Sequence, residues 1–190
     1  AMGFEAVSGV DQAYVFAGRH QAVVANSSVE LNDVLTATLM LDAATQALSP
    51  EQWAATAVHE AFHVYQRQHY PGWPANEADL FMYPSNDVEL LALRRLENGA
   101  LKLAVEQDPE RCWARTALNL RSKRYQLMDP AFAKYERHSE LNEGLSSYVQ
   151  LRALGENQVG ALTDGFDAED VRRRAYATGA ALALLLDRVK

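Results

Sequence analysis

Apolar and polar positions alternate early in the chain and give way to helical periodicity after residue 49. Residues 14 to 41 are rich in Val, Thr and Leu, and Val34, Thr36 and Thr38 alternate with Leu35, Ala37 and Leu39. This period of two predicts a few short strands, with Asn26-Ser27-Ser28 and Asn32-Asp33 as turns. Ser49-Pro50-Glu51-Gln52 then reads as a helix start. Ser49 is the N-cap, Pro50 takes the first helical position and Gln52 completes a capping box. The helix should run to His69, before Pro71-Gly72.

Residues 70 to 84 contain the aromatics Tyr70, Trp73, Phe81 and Tyr83 and the prolines Pro71, Pro74 and Pro84. That is too much proline for a helix. The segment reads either as a loop over a cleft or as a connection pinned to the core by its rings. Helices are expected over 86 to 107, over 109 to 128 from Pro109, and over 130 to 154 from Pro130, the last ended by Gly155. After a loop containing Gly160 and Gly165, Asp167 to Arg188 reads as a final helix. The expected fold class is α+β and mainly helical, in one domain spanning 1–190. A small N-terminal sheet occupies 4–48, and about five helices fill 49–190.

Composition narrows the partners. The chain has 190 residues and 48% hydrophobic content, enough to bury a core. A net charge of -7 and a pI near 5.2 argue against a nucleic-acid binder, which needs a basic surface. The apolar stretch Ala175 to Leu186 falls short of the roughly 20 residues of a membrane span, so a soluble chain is expected. Small or peptide-like partners fit better. The single cysteine, Cys112, excludes an intramolecular disulfide and argues against a thiolate zinc site. One thiol suits cytosol or periplasm equally. Ala1-Met2-Gly3 reads as a cloning remnant, which leaves room for a secreted chain with its leader removed.

The chemistry concentrates in His59-Glu60-Ala61-Phe62-His63. Two histidines four residues apart on a helix present both imidazoles on one face, close enough to share a tetrahedral ion, with a glutamate beside the first. Trp53, Ala54, Ala57, Val58, Ala61, Phe62 and Tyr65 fill one half of this helix. His59 and His63 share the other half with Gln52, Thr56, Glu60, Gln66 and Arg67, so water or a polar cleft should cover them.

A third ligand is needed, and the 130 to 154 helix offers Glu136, Glu140 and Glu143, grouped with Ser147 on one arc that holds no Lys or Arg. Such acids repel unless a metal, a distant arginine or water offsets them. Leu141-Asn142-Glu143-Gly144-Leu145 resembles the Asn-Glu-Gly segment of gluzincins, the zinc metallopeptidases in which this glutamate is the third zinc ligand. The resemblance implies His59, His63 and Glu143 as zinc ligands and a peptide or protein substrate. It covers only the two motif helices and, more loosely, the last one. The 80 residues between His63 and Glu143 exceed the family's spacing, so a helical insertion must lie between. Glu140 stands as a substitute ligand or as an acid behind a ligating imidazole.

The same resemblance implies that Glu60 takes the proton of a zinc-bound water, whose hydroxide attacks a carbonyl. The developing oxyanion then needs a donor. Tyr176 is preferred, because Gly179, Ala180 and Ala183 on its side of the helix let a neighbour approach, and Tyr176-Ala177-Thr178-Gly179 is similar to a Tyr-x-x-Gly helix in gluzincin-like families. His138, Tyr148, Tyr125 and Tyr83 are alternatives. Arg172-Arg173-Arg174 reads as a solvated helix start, one member of which can bind a substrate carboxylate. Val24-Ala25-Asn26-Ser27 is a candidate edge for an extended peptide. Two rivals stand beside this reading. One is a zincin-like binding or structural domain without catalysis. The other is a di-metal helical bundle, disfavoured because Glu60-Ala61-Phe62-His63 has no second Glu-x-x-His to pair with.

Overall fold

The N-terminal segment folds as two separate antiparallel hairpins rather than one sheet. The structure, a computed structural model, describes residues 3–42, 46–107, 112–159, 162 and 170–188. Strands β1 (Phe4–Ala6) and β2 (Tyr14–Phe16) form the first hairpin, β3 (Ser27–Leu31) and β4 (Val34–Thr38) the second. Asn32 and Asp33 close the second hairpin with φ of 51° and 64°. A two-residue loop with positive φ at both positions matches the twist of its strands, and Asn and Asp tolerate that region. Asn26-Ser27-Ser28 is not a turn. Ser27 and Ser28 pair with Thr38 and Ala37, and the Ser27 and Thr38 hydroxyls bond across the strands at 3.3 Å. Strand β1 lies outside the 14 to 41 span expected for strands.

Helix α1 (Pro50–His69) starts with the expected capping box: Ser49 accepts from the Gln52 amide, and the Gln52 side chain accepts from the Ser49 amide. Within the proline-rich segment that follows, Glu77–Met82 forms a short 3₁₀ helix. Then come α2 (Val88–Gln107), α3 (Cys112–Leu127), α4 (Pro130–Ser139), a π turn (Glu140–Gly144), α5 (Leu145–Ala153) and α6 (Val171–Asp187). Pro109 and Asp167, the expected starts of α3 and α6, lie outside the described residues, as do Gly160 and Gly165. The chain is mainly helical, with two two-stranded sheets and six helices among the described residues. Six replace the expected five because the π turn divides the 130 to 154 helix. Gly155 ends it with φ of 71°. No helix among the described residues is long and apolar enough to cross a membrane.

An apolar core of Leu101, Val105, Ala117, Ala181 and Leu184 joins α2, α3 and α6. A second buried centre is charged. Arg121 makes a two-pronged ion pair with Glu140, both arms 2.7 Å, and its Nε reaches Glu97 at 2.7 Å. Arg124 bridges Glu97 at 2.9 Å and Glu136 at 2.7 Å, while Arg94 meets Glu136 at 2.6 Å. Three arginines from α2 and α3 thus neutralise Glu97, Glu136 and Glu140. Tyr83 also donates to Glu136, which ties the proline-rich segment to this centre. The helices between the two sequence motifs therefore supply the cations that the acidic arc itself lacks.

Candidate metal centre

Helix α1 is buried on its histidine side. His59, Glu60, His63 and Gln66 are all buried, while Val58 and Tyr65 on the apolar half are 39% and 44% exposed. The cover is the π turn and α5, whose polar groups pair with the imidazoles.

The two Nε2 atoms of His59 and His63 face each other at 3.2 Å. Glu143 Oε2 lies 3.4 Å from His63 Nε2 and 3.8 Å from His59 Nε2. The three ligand atoms form the one group among the described residues that can hold a metal ion. Around a tetrahedral ion with bonds of about 2.0–2.1 Å, neighbouring ligand atoms stand roughly 3.3 Å apart. The triangle found here fits that spacing, and its donor set of two imidazoles and a carboxylate leaves a fourth position for water.

Tautomers follow from the surrounding amides. Gln66 Nε2 donates to the Leu141 and Asn142 carbonyls at 2.9 and 3.0 Å, so its Oε1 faces His63 Nδ1 at 2.9 Å. His63 must donate from Nδ1, which leaves the Nε2 lone pair for an ion. Gln150 Oε1 stands against His59 Nδ1 at 3.0 Å in the same role. Ser146 adds a hydroxyl 3.2 Å from His63 Nδ1. Gln66 was legible as a member of the histidine face, three residues beyond His63. Gln150 and Ser146 carried no signal, because they reach the site only through the fold.

Glu60 lies beside the triad with its Oε2 buried and without a hydrogen-bond partner among the described residues. Burial pushes its carboxyl above the ordinary value, and the nearby imidazoles only partly oppose this. Glu143 behaves in the opposite way. Burial pushes it up, yet its contacts with both imidazoles and with Tyr176 outweigh burial and hold it well below the usual carboxylate range. His63 loses basicity to burial but regains more from Glu143 and Gln66.

The remaining candidates separate cleanly. Tyr176 stacks on His59 with ring centroids 6.3 Å apart and lines the cleft, and burial followed by the Glu143 charge pushes its phenol up. Tyr125 packs under three guanidiniums, Tyr83 binds Glu136, Tyr148 donates to Asp187, and His138 stands 3.3 Å from the Pro74 carbonyl. Glu140 is not near the imidazoles, because Arg121 and Thr178 hold both its oxygens. The arginine run is not uniformly solvated. Arg173 is exposed, Arg174 is buried, and Arg172 donates to Glu143 Oε1 at 3.0 Å. The strand edge contributes only in part: Asn26, Ser27 and Ser28 line the cleft, and Arg67 already occupies the Ser28 carbonyl at 2.7 Å. Pro74 closes another side, so the proline-rich segment both borders the cleft and anchors in the charged centre. The cleft has a volume of about 510 Å³.

The chain matches no family model, no curated protein and no solved structure.

Proposed function

We propose that the protein is a zinc-dependent peptidase of the gluzincin type, with a zincin-like arrangement in which the cleft separates α1 from the Asn-Glu-Gly turn. The observation that carries this is the convergence of His59 Nε2, His63 Nε2 and Glu143 Oε2 from segments 80 residues apart. His59, His63 and Glu143 would hold the ion, with Gln150 and Gln66 fixing the imidazole tautomers. A zinc ion bound there would lower the pKa of its water toward about 7 and polarise a substrate carbonyl.

The protein supplies the proton handling. Glu60 has a buried, unpartnered oxygen and a carboxyl raised by burial. It accepts a proton from the attacking water and returns it to the leaving amine, a role worth on the order of 10²–10⁴ in rate. Tyr176 is protonated at neutral pH and sits on the cleft wall, so its hydroxyl turns from Glu143 to donate to the oxyanion. Arg172 holds Glu143 through Oε1, leaving Oε2 toward the imidazoles.

Metal analysis combined with a peptide-cleavage assay tests the proposal. Wild type should carry about one zinc per chain and cleave peptides, while Glu60→Gln keeps the zinc and loses at least 100-fold in kcat. Zinc retention with no cleavage of any peptide by the wild type would favour a non-catalytic binding domain instead.

A further inference from the structure

Arg67 lies one turn of α1 beyond His63, as His63 lies one turn beyond His59, so the three side chains share a face of the helix and all line the metal cleft. Its Nη1 donates to the Ser28 carbonyl at 2.7 Å and reaches the Ser28 hydroxyl at 3.5 Å. Both partners are neutral. Although the chain carries a net charge of -7, no acid pairs with Arg67 among the described residues. The acids of the cleft are engaged elsewhere: Glu143 meets both imidazoles and Arg172, and Glu60 stands beside His59 and His63. The Nε and Nη2 edge of Arg67 therefore has no partner among the described residues. That edge is the fork of parallel N–H groups that matches a carboxylate.

We infer that Arg67 is a specificity residue that receives a carboxylate of the peptide, from its C-terminus or from an acidic side chain, about two residues from the bond being cleaved. The inference rests on the peptidase reading and adds the substrate class. Spacing sets the position. One helical turn separates the His63 and Arg67 backbones by about 6 Å along α1. An extended peptide advances about 3.3 Å per residue, so a chain whose carbonyl lies at the metal brings a group two residues on to Arg67. Ser28 holds the guanidinium in place before a ligand arrives, which lowers the ordering cost of binding. Asn26, Ser27 and Asn142 add amide and hydroxyl groups to the same cleft, suited to a peptide backbone. A lysine or arginine of the substrate at that place would meet like charge instead.

Hydroxamates test the residue without requiring turnover, because they chelate the ion and carry a tail of choice. Affinities of glutaric and adipic acid monohydroxamates, of the corresponding carboxamides and of acetohydroxamate are measured by calorimetry on the zinc-loaded full chain. At one of the two lengths the acid should bind about tenfold or more tightly than its amide. Arg67→Gln should bring that ratio toward one and leave acetohydroxamate affinity unchanged, and Arg67→Lys, which keeps the charge without the fork, should retain part of the ratio. Equal affinities of acid and amide at both lengths, or a ratio that survives Arg67→Gln, overturn the assignment while leaving the metal site intact. A loss of acetohydroxamate affinity in Arg67→Gln as large as the loss for the acid overturns it too, because Arg67 then only braces β3. Absence of acetohydroxamate binding by the wild type marks failure of the metal reading itself, and the assignment falls with it. Acetylated peptides cleaved by the wild type locate the carboxylate. Amidating the C-terminus lowers kcat/KM by about tenfold if the chain end is the ligand, and replacing a glutamate by glutamine does so if a side chain is. No effect of either change overturns the proposal.

Discussion

Gly144 and Gly179 meet where the π turn crosses α6, so closely that a Cβ on Gly144 would stand 2.5 Å from the Gly179 Cα and 2.9 Å from the Ala175 carbonyl oxygen. Gly144 has φ of -66°, an ordinary helical value, so glycine is required for approach and not for backbone freedom. The crossing is what brings Tyr176 of α6 against Glu143. Gly144→Ala must push backbone away from backbone, at about 1–3 kcal/mol. Thermal unfolding should show a Tm lower by several degrees, and zinc titration should show weakened affinity because Glu143 moves with the turn. An unchanged Tm and zinc affinity would show that the helices do not meet this closely.

Gln66 ties His63 to the carbonyls of Leu141 and Asn142, and so joins α1 to the turn that bears Glu143. Gln66→Leu removes the acceptor on His63 Nδ1 and the donor to both carbonyls. Zinc affinity in a chelator competition should fall by about 10–100-fold, the usual effect of losing an orienting partner behind a ligand. Gln66→Glu, which keeps an acceptor for Nδ1, should retain more affinity than the leucine variant.

Glu140 and Glu143 lie three residues apart and do different work. Glu140→Ala leaves Arg121 with a lost two-pronged partner in a buried setting, a change that costs about 3–5 kcal/mol. Glu143→Ala removes a proposed ligand atom instead. Denaturant unfolding and metal analysis of the folded fraction should separate them: the first variant is much less stable and keeps zinc stoichiometry, and the second loses zinc. Loss of zinc from folded Glu140→Ala alone would reverse the assignment.

The contrast between these two acids marks what the sequence could reveal. Local features were legible: the Ser49 capping box, the Asn32-Asp33 hairpin turn and the pairing of His59 with His63 four residues apart depend on near neighbours along the chain. The identity of Glu143 as the acid nearest the imidazoles came through its Asn-Glu-Gly context. The π turn was not legible, because it forms where Gln66 captures carbonyls 75 and 76 residues away and where Gly144 packs on Gly179. With an even helix, Glu136, Glu140 and Glu143 share one arc. With the wider turn inserted, the first two face the arginines and the third faces the histidines. The burial of the α1 histidine face was also hidden, since polar side chains make up that face and only their distant partners explain its exclusion from water.

The charged centre gives the protein a dependence on acid. Burial pushes Glu136 up, but Arg94 and Arg124 outweigh it and bring its carboxyl from 4.5 to about 2; Glu97 is lowered by the same arginines together with Arg121. A carboxyl depressed in the folded state contributes stability that is fully present above its unfolded value and disappears as pH falls through its folded one. Urea midpoints, measured with a chelator present to remove metal linkage, should be level near neutrality and fall from about pH 4.5 toward pH 2. Glu136→Gln should lower the midpoint near neutrality and flatten the acid limb. A wild-type midpoint constant over that interval would contradict the pairing.

In the proposed site one ion joins His59 and His63 to Glu143 across an 80-residue separation. Anomalous diffraction at the zinc edge from crystals of the zinc-loaded protein tests this most directly. A single strong peak is expected within about 2.0–2.2 Å of His59 Nε2, His63 Nε2 and a Glu143 oxygen. A peak bound elsewhere, or none within reach of the two imidazoles, would contradict it.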